Sequence, residues 1–236
     1  MKSLTIRYQT SELIPAPFAN AIEIILDLNN ELKYQFELTY IDRDQLTEEE
    51  ILEEGFSTKD DLVLKGILKE PWISALESLI SETKKTYPIE LKEDQEFWEI
   101  TTEEAIFFPN NTKPWKIFID QFQQACLEQN IIEKPLQIGI CRKDYDLETS
   151  FQIIGCFENR TLEVITNGIL SKQIEWNKLN PFLMNLYSGE FNFEKATDGI
   201  PKKTGLFINL GDELWYEVGK SLLIQPSKIT SWIDAL

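Results

Sequence analysis

The chain has no histidine among its 236 residues. Histidine is the side chain whose ordinary charge change falls near neutral pH. Its absence excludes a Ser-His-Asp triad or a Cys-His dyad within this chain. HExxH zinc sites, two-histidine iron sites and histidine-ligated haem are excluded with it. Cysteine is scarce: Cys126, Cys141 and Cys156 recur every fifteen residues, a spacing that matches no metal motif. An odd number argues against a disulfide framework, and free cysteines are usually buried, so three reduced, largely buried thiols are expected. No run of about 18 apolar residues exists, so no transmembrane helix is expected. The opening residues MKSLTIRYQTS lack the apolar core of a signal peptide, and the chain reads as cytoplasmic.

Phosphate-binding loops are missing too. Gly219-Lys220-Ser221 imitates the end of a P-loop, but the required earlier glycine is replaced by Leu214. No GxGxxG, GxSxG or calcium-loop pattern occurs. Neither a cofactor nor a metal site is therefore expected.

Positive charge is the remaining shortage. There are 23 basic residues against 40 acidic ones, a net charge of −17. Residues 1–118 hold 24 acidic and 12 basic residues, a balance of −12. Residues 119–236 hold 16 and 11, a balance of −5. A field of that sign repels nucleic-acid phosphates and anionic membranes. It permits a basic protein partner.

What is present is an ordinary globular composition, 42% hydrophobic and 11% aromatic. Leu4, Ile6 and Tyr8 alternate with polar residues, the period of a half-buried strand. Residues 18–27 and 33–41 read as a hairpin around Asn29-Asn30. Thr47 three residues before Glu50 makes a capping box, which opens a short acidic helix over 47–54. Pro71-Trp72 and Pro114-Trp115 open two longer helices, each preceded by an apolar strand (62–68 and 105–108). That resemblance raises the possibility of a diverged internal repeat.

The second half predicts a meander over 150–157, 160–166 and 169–176, with Asn167-Gly168 as a hairpin turn. A short helix follows Asn180-Pro181, and a second meander covers 205–210, 213–218 and 221–224. An amphipathic helix carrying Ile229, Trp232, Ile233 and Leu236 is expected after Pro226. Together these predict an α+β class, mostly antiparallel sheet in hairpins and meanders, with about five helices interspersed. A boundary near residue 133 divides the chain into an α+β part, 1–133, and a β-meander part, 134–236. A single fused domain is the alternative.

The surviving reactive groups are carboxylates, lysines and thiols. Glu48, Glu49, Glu50, Glu53 and Glu54 read as a solvated helix face. Tyr40-Ile41-Asp42-Arg43-Asp44 is sharper, because arginine is rare here and its planar fork can orient a carboxylate or anchor a partner. The competing reading is a local ion-pair turn. The stretch 188–204 is the longest without a clear element, and its Phe191 and Phe193 suit either a lid or partner contact, or the core. Tyr40, Asp42, Arg43, Asp44, Phe191 and Phe193 are thus the candidate binding residues, and no catalytic residue is assignable. The leading expectation is a non-catalytic interaction protein with a basic partner. The alternatives are a carboxylate-based enzyme or small-molecule binder, with or without a divalent metal, and a structural subunit of a homo-oligomer.

Overall fold

The computed structural model describes residues 2–29, 31–86, 91–145, 147–224 and 231. It divides into two compact units, Met1–Glu133 and Lys134–Leu236. The class is α+β, with four α-helices among the described residues and antiparallel pairing throughout both main sheets. The fifth expected helix, after Pro226, lies almost wholly outside the described residues.

The first unit runs β1 (Ser3–Gln9), β2 (Asn20–Asp27), β3 (Leu32–Tyr40), α1 (Glu48–Glu53), β4 (Leu62–Leu68) and α2 (Glu70–Glu82). It continues through β5 (Lys85–Thr86), β6 (Phe97–Thr102), β7 (Ile106–Pro109) and α3 (Thr112–Gln129). The seven strands lie in the order β4-β3-β2-β1-β6-β7-β5. Alternation decides which face is buried. Ile6 pairs with Ile24 on one side and Ile100 on the other, and all three are fully buried. Arg7, one residue on, pairs with Glu23 and Glu99 on the opposite face.

Helices α2 and α3 supply the core opposite the strands. Trp72 packs edge-on against Phe118 and Phe122, with ring centroids 5.5 and 5.2 Å apart. Trp115 donates its indole N–H to Thr83 Oγ1 at 2.9 Å, so its one polar atom is satisfied in the interior. Gly66 is required by a close approach: a Cβ there would lie 2.8 Å from Tyr34 Oη and closer still to Gln129 Oε1. Its bareness lets Gln129 accept from Tyr34 at 2.6 Å and donate to the Ile67 carbonyl at 2.6 Å, which ties the end of α3 to β4.

The second unit runs β8 (Leu136–Lys143), β9 (Glu148–Cys156), β10 (Thr161–Thr166), β11 (Ile169–Ile174) and α4 (Leu179–Leu186). It continues through β12 (Glu190–Phe191), β13 (Thr197–Asp198), β14 (Gly205–Asn209), β15 (Leu214–Glu217) and β16 (Leu222–Ile224). Its main sheet has the order β11-β10-β9-β8-β14-β15-β13. This is the order of the first unit, strand for strand. The run β1 to β4 corresponds to β8 to β11, β5 to β13, and β6 and β7 to β14 and β15. Helices α2 and α4 occupy the same place in the chain. Repetition therefore acts on whole units, a longer period than the Pro-Trp resemblance suggests.

Two expectations are corrected. The third strand of the second meander, β16, pairs with β12 and not with β15. The cause is a tight turn: Val218 N–H bonds back to the Leu206 carbonyl, and Ser221 Oγ accepts from Glu217 N–H at 2.7 Å. The stretch 188–204 also holds structure, namely β12, a 3-10 turn at Phe193–Lys195 and β13. Other local signals survive. Thr47 and Glu50 make both bonds of the capping box, and Asn167 and Gly168 both have positive φ, as a type I′ turn requires.

Candidate functional site

The best-formed arrangement of polar and aromatic groups lies in the first unit, where the end of the sheet meets α3. Lys116, Ile119, Asp120 and Gln123 follow the i, i+3, i+4, i+7 spacing that places them on one helix face. They face Tyr8, Thr10, Asn20, Ile22, Leu38, Tyr40 and Trp98 from the strand ends across a cleft of about 250 Å³. Tyr8 and Trp98 are cross-strand partners with ring centroids 4.7 Å apart, and both are buried.

Glu96 ties together three of the residues that line the cleft. Its Oε1 accepts from Tyr8 Oη at 3.0 Å and from Lys116 Nζ at 2.7 Å, and its Oε2 accepts from Trp98 Nε1 at 3.2 Å. Burial opposes its ionisation, but the three donors outweigh burial and hold its pKa below the ordinary glutamate value. Burial and the adjacent Glu96 charge push the Tyr8 phenol up to about 12, so it remains a donor throughout the physiological range.

Asp120 behaves oppositely. No hydrogen bond or ion pair reaches its carboxylate among the described residues. The walls desolvate it and raise its pKa; Lys116 counters part of that rise, and Glu96 adds to it. Asp120 is exposed at residue level, so its carboxyl is open to a ligand while its charge remains poorly compensated.

The outer face of the same sheet is acidic. Val63, Glu37, Glu23, Arg7 and Glu99 fall on one rung across β4, β3, β2, β1 and β6. Arg7 bonds Glu23 at 2.7 Å and Glu99 at 3.0 Å. Glu37, directly opposite Glu23, has no such partner among the described residues. A second hollow of about 250 Å³ opens over this rung, lined in part by Arg7, Glu23, Glu37 and Thr39.

Charge differs sharply between the units. Residues 1–133 contain 27 acidic and 12 basic residues, a net −15, and residues 134–236 contain 13 and 11, a net −2. The second unit has its own hollow, about 380 Å³, floored by Gly139 and walled by Trp215 and Ile165. Its polar groups are mutually engaged: Gln152 donates to Gln137 at 3.1 Å, and Asn209 is tied to Asp212 and Leu214.

The residues singled out from sequence divide between the units. Tyr40 lines the first-unit cleft. Arg43 lies beneath it, with its guanidinium carbon 3.5 Å from the Tyr40 ring centroid and 4.7 Å from that of Phe56. Arg43 Nε donates to the Pro17 carbonyl at 3.1 Å. Its Nη1 donates to the Ser57 carbonyl at 2.7 Å and to Asp60 Oδ2 at 2.9 Å. The side chain is 11% exposed. Its ion-pair partner is thus Asp60 and not the flanking acids, which corrects the local-turn reading. Asp42 and Asp44 are exposed and do not join Arg43. Asp42 adopts a left-handed backbone, φ 59°, that turns it away from the strand.

Phe191 and Phe193 belong to the second unit. Phe191 packs edge-on against buried Tyr216 at 5.0 Å. Phe193 sits 5.9 Å from the same ring and is 67% exposed.

Sequence reasoning missed Tyr8, Trp98, Lys116, Asp120 and Gln123. The helix opened by Pro114-Trp115 was legible, and its polar positions 116, 120 and 123 at helical spacing were the available signal. Trp98 and Glu96 carry no local signature, because only the β1–β6 pairing brings them to Tyr8.

Among the described residues no group of three or more His, Cys, Asp or Glu side chains is placed to hold a metal ion. No helix among them is long and apolar enough to cross a membrane. No protein-family model, curated protein or solved structure matches the chain.

Proposed function

We propose that this chain is an interaction protein that receives a basic partner on its first unit. One observation carries the reading: two units of the same strand order differ by −15 against −2, so the charge follows one unit and not the fold. Surface acidity concentrated in this way steers a cationic partner and sharpens the salt dependence of its association. The half-buried acidic rung supports the same reading, since Glu37 lies opposite Glu23 as a like-charge cross-strand pair while Arg7, the cation on that rung, is bonded to Glu23 and Glu99.

The test is affinity capture from cell extract at low and high salt, followed by hydrogen exchange of the chain with each purified captured protein. A basic partner, released by salt and protecting β1–β3 and α3, is expected. No salt-sensitive partner, or protection confined to the second unit, would overturn the proposal.

A second reading has one observation in its favour. Glu96 and Asp120 have pKa values displaced in opposite directions, the arrangement by which carboxyl pairs divide acid and base roles. Both Glu96 oxygens are occupied by donors, which leaves Asp120 as its one open carboxyl. Turnover of 4-nitrophenyl glycosides that is lost in Asp120→Asn would favour catalysis, and no turnover by the native chain would count against it.

A further inference from the structure

The geometry points to the cleft beside α3 as the seat of one cationic side chain, a lysine ammonium or an arginine guanidinium, of that basic partner. The inference rests on the proposed function and names the contact within it.

Unfilled acceptors are the first ground. Asp120, the Gln123 amide and the Tyr40 hydroxyl all line the cleft, and none has a hydrogen bond or ion pair among the described residues. Their neighbours are already committed. Thr10 and Asn20 bond each other at 3.1 Å. Lys116 is held by Glu96 at 2.7 Å and makes no ion pair with Asp120. A carboxylate, an amide oxygen and a phenol oxygen are together an acceptor set for N–H donors carrying positive charge.

The walls supply the second ground. Tyr8, Tyr40 and Trp98 line the cleft with aromatic rings, Tyr8 and Trp98 nearly buried and packed together, and cations are attracted to ring faces. The same unit shows such contacts from within, where Arg43 lies over Tyr40 and Lys116 over Tyr8. An anion would meet Asp120 and one cation, Lys116, whose charge is already paired with Glu96. A cleft of about 250 Å³ suits one long side chain.

The second unit provides the contrast. The buried pair Ile6–Ile100 corresponds to Ile140–Ile208, so Tyr8–Trp98, two residues further along, corresponds to Arg142–Leu206. An arginine and a leucine replace the two rings, and that position carries positive charge.

The test uses the full ¹⁵N-labelled chain at fixed ionic strength. n-Butylguanidinium and n-butylammonium are titrated in, with n-butylurea as the neutral control. The Trp98 indole and Gln123 amide resonances should shift saturably with both cations and not with the urea. Asp120→Asn should weaken binding about tenfold, as expected for loss of one charge-assisted partner. Gln123→Leu is the second variant and should weaken it less.

No saturable shift at Trp98, an equal response to the urea, or native affinity in Asp120→Asn would each overturn the inference. A lysine-rich peptide at low salt separates the two levels. Peptide binding whose footprint omits the cleft overturns this inference alone. No peptide binding at all overturns the proposed function.

Discussion

The two units solve one folding problem with different charges. Both place a strand pair of buried isoleucines at the sheet centre, Ile6–Ile100 and Ile140–Ile208. Both set an aromatic residue of the intervening helix into the core, Trp72 in α2 and Phe182 in α4. Each also anchors irregular chain with one almost fully buried charge, but of opposite sign. The first unit uses Arg43, which gathers Pro17, Ser57 and Asp60. The second uses Glu217, 10% exposed, which holds Lys203 and Lys220 at 2.6 Å each. The shared order shows what hydrophobic patterning dictates. The charges show what it leaves free, and that freedom is where function can differ.

The largest effects should come from the common core. Trp72→Ala should cost about 3–5 kcal/mol by urea unfolding, the usual range for truncating a buried large aromatic. Phe182→Ala should fall in the same range. Tolerance of one but not the other would break the correspondence of α2 with α4.

Next come the buried charges. Asp60→Ala leaves Arg43 without its counter-ion and should cost about 2 kcal/mol. Glu217 gives a pH signature of its own. Burial opposes its ionisation, but bonds from Lys203 and Lys220 prevail and lower its folded pKa below the ordinary glutamate value. A depressed acid pKa stabilises the fold above the unfolded value, and that stability is lost as pH falls through the folded pKa. Thermal unfolding between pH 6 and 3, a range set by the ordinary carboxyl pKa of about 4.3, should show this loss. Glu217→Gln should be less stable at neutral pH and should flatten the slope. An unchanged slope would remove Glu217 as the anchor.

Asp120 in the first unit should behave in reverse. Asp120 has a raised folded pKa, so its ionisation weakens the fold as pH rises through that value. Asp120→Asn should change stability at neutral pH by no more than about 0.5 kcal/mol, in the stabilising direction. Glu37→Lys should stabilise slightly, by about 0.2–1 kcal/mol, because it replaces a like-charge cross-strand pair. Both should weaken cation binding. Stability lost in Glu37→Lys would show that the rung is structural and not reserved for a partner.

Much of the framework was legible because its signals are local. Alternation in β1, the Thr47–Glu50 box and Asn167-Gly168 each act within a few residues. The strand pairing of β16 was not legible, since the apolar run 221–224 fits either neighbour and the Ser221–Glu217 bond decides it. The recurrence of one strand order was also hidden. It resides in pairing across the sheet, while the residues at corresponding positions, Tyr8–Trp98 and Arg142–Leu206, share no chemistry. Arg43 stood out by rarity, yet its true partner, Asp60, lies seventeen residues away. The cleft itself joins β1, β2, β3, β6 and α3, and no window of sequence contains them together.

The central claim is that cation recognition belongs to the first unit and not to its topological twin. Two indoles report on it directly: Trp98 in the first-unit cleft and Trp215 in the second-unit hollow. A lysine-rich peptide titrated at low salt, followed by ¹H–¹⁵N spectra of both indoles, should shift Trp98 saturably and leave Trp215 in place, with the shift reversed by high salt. Equal shifts of both indoles, or a shift of Trp215 alone, would contradict it.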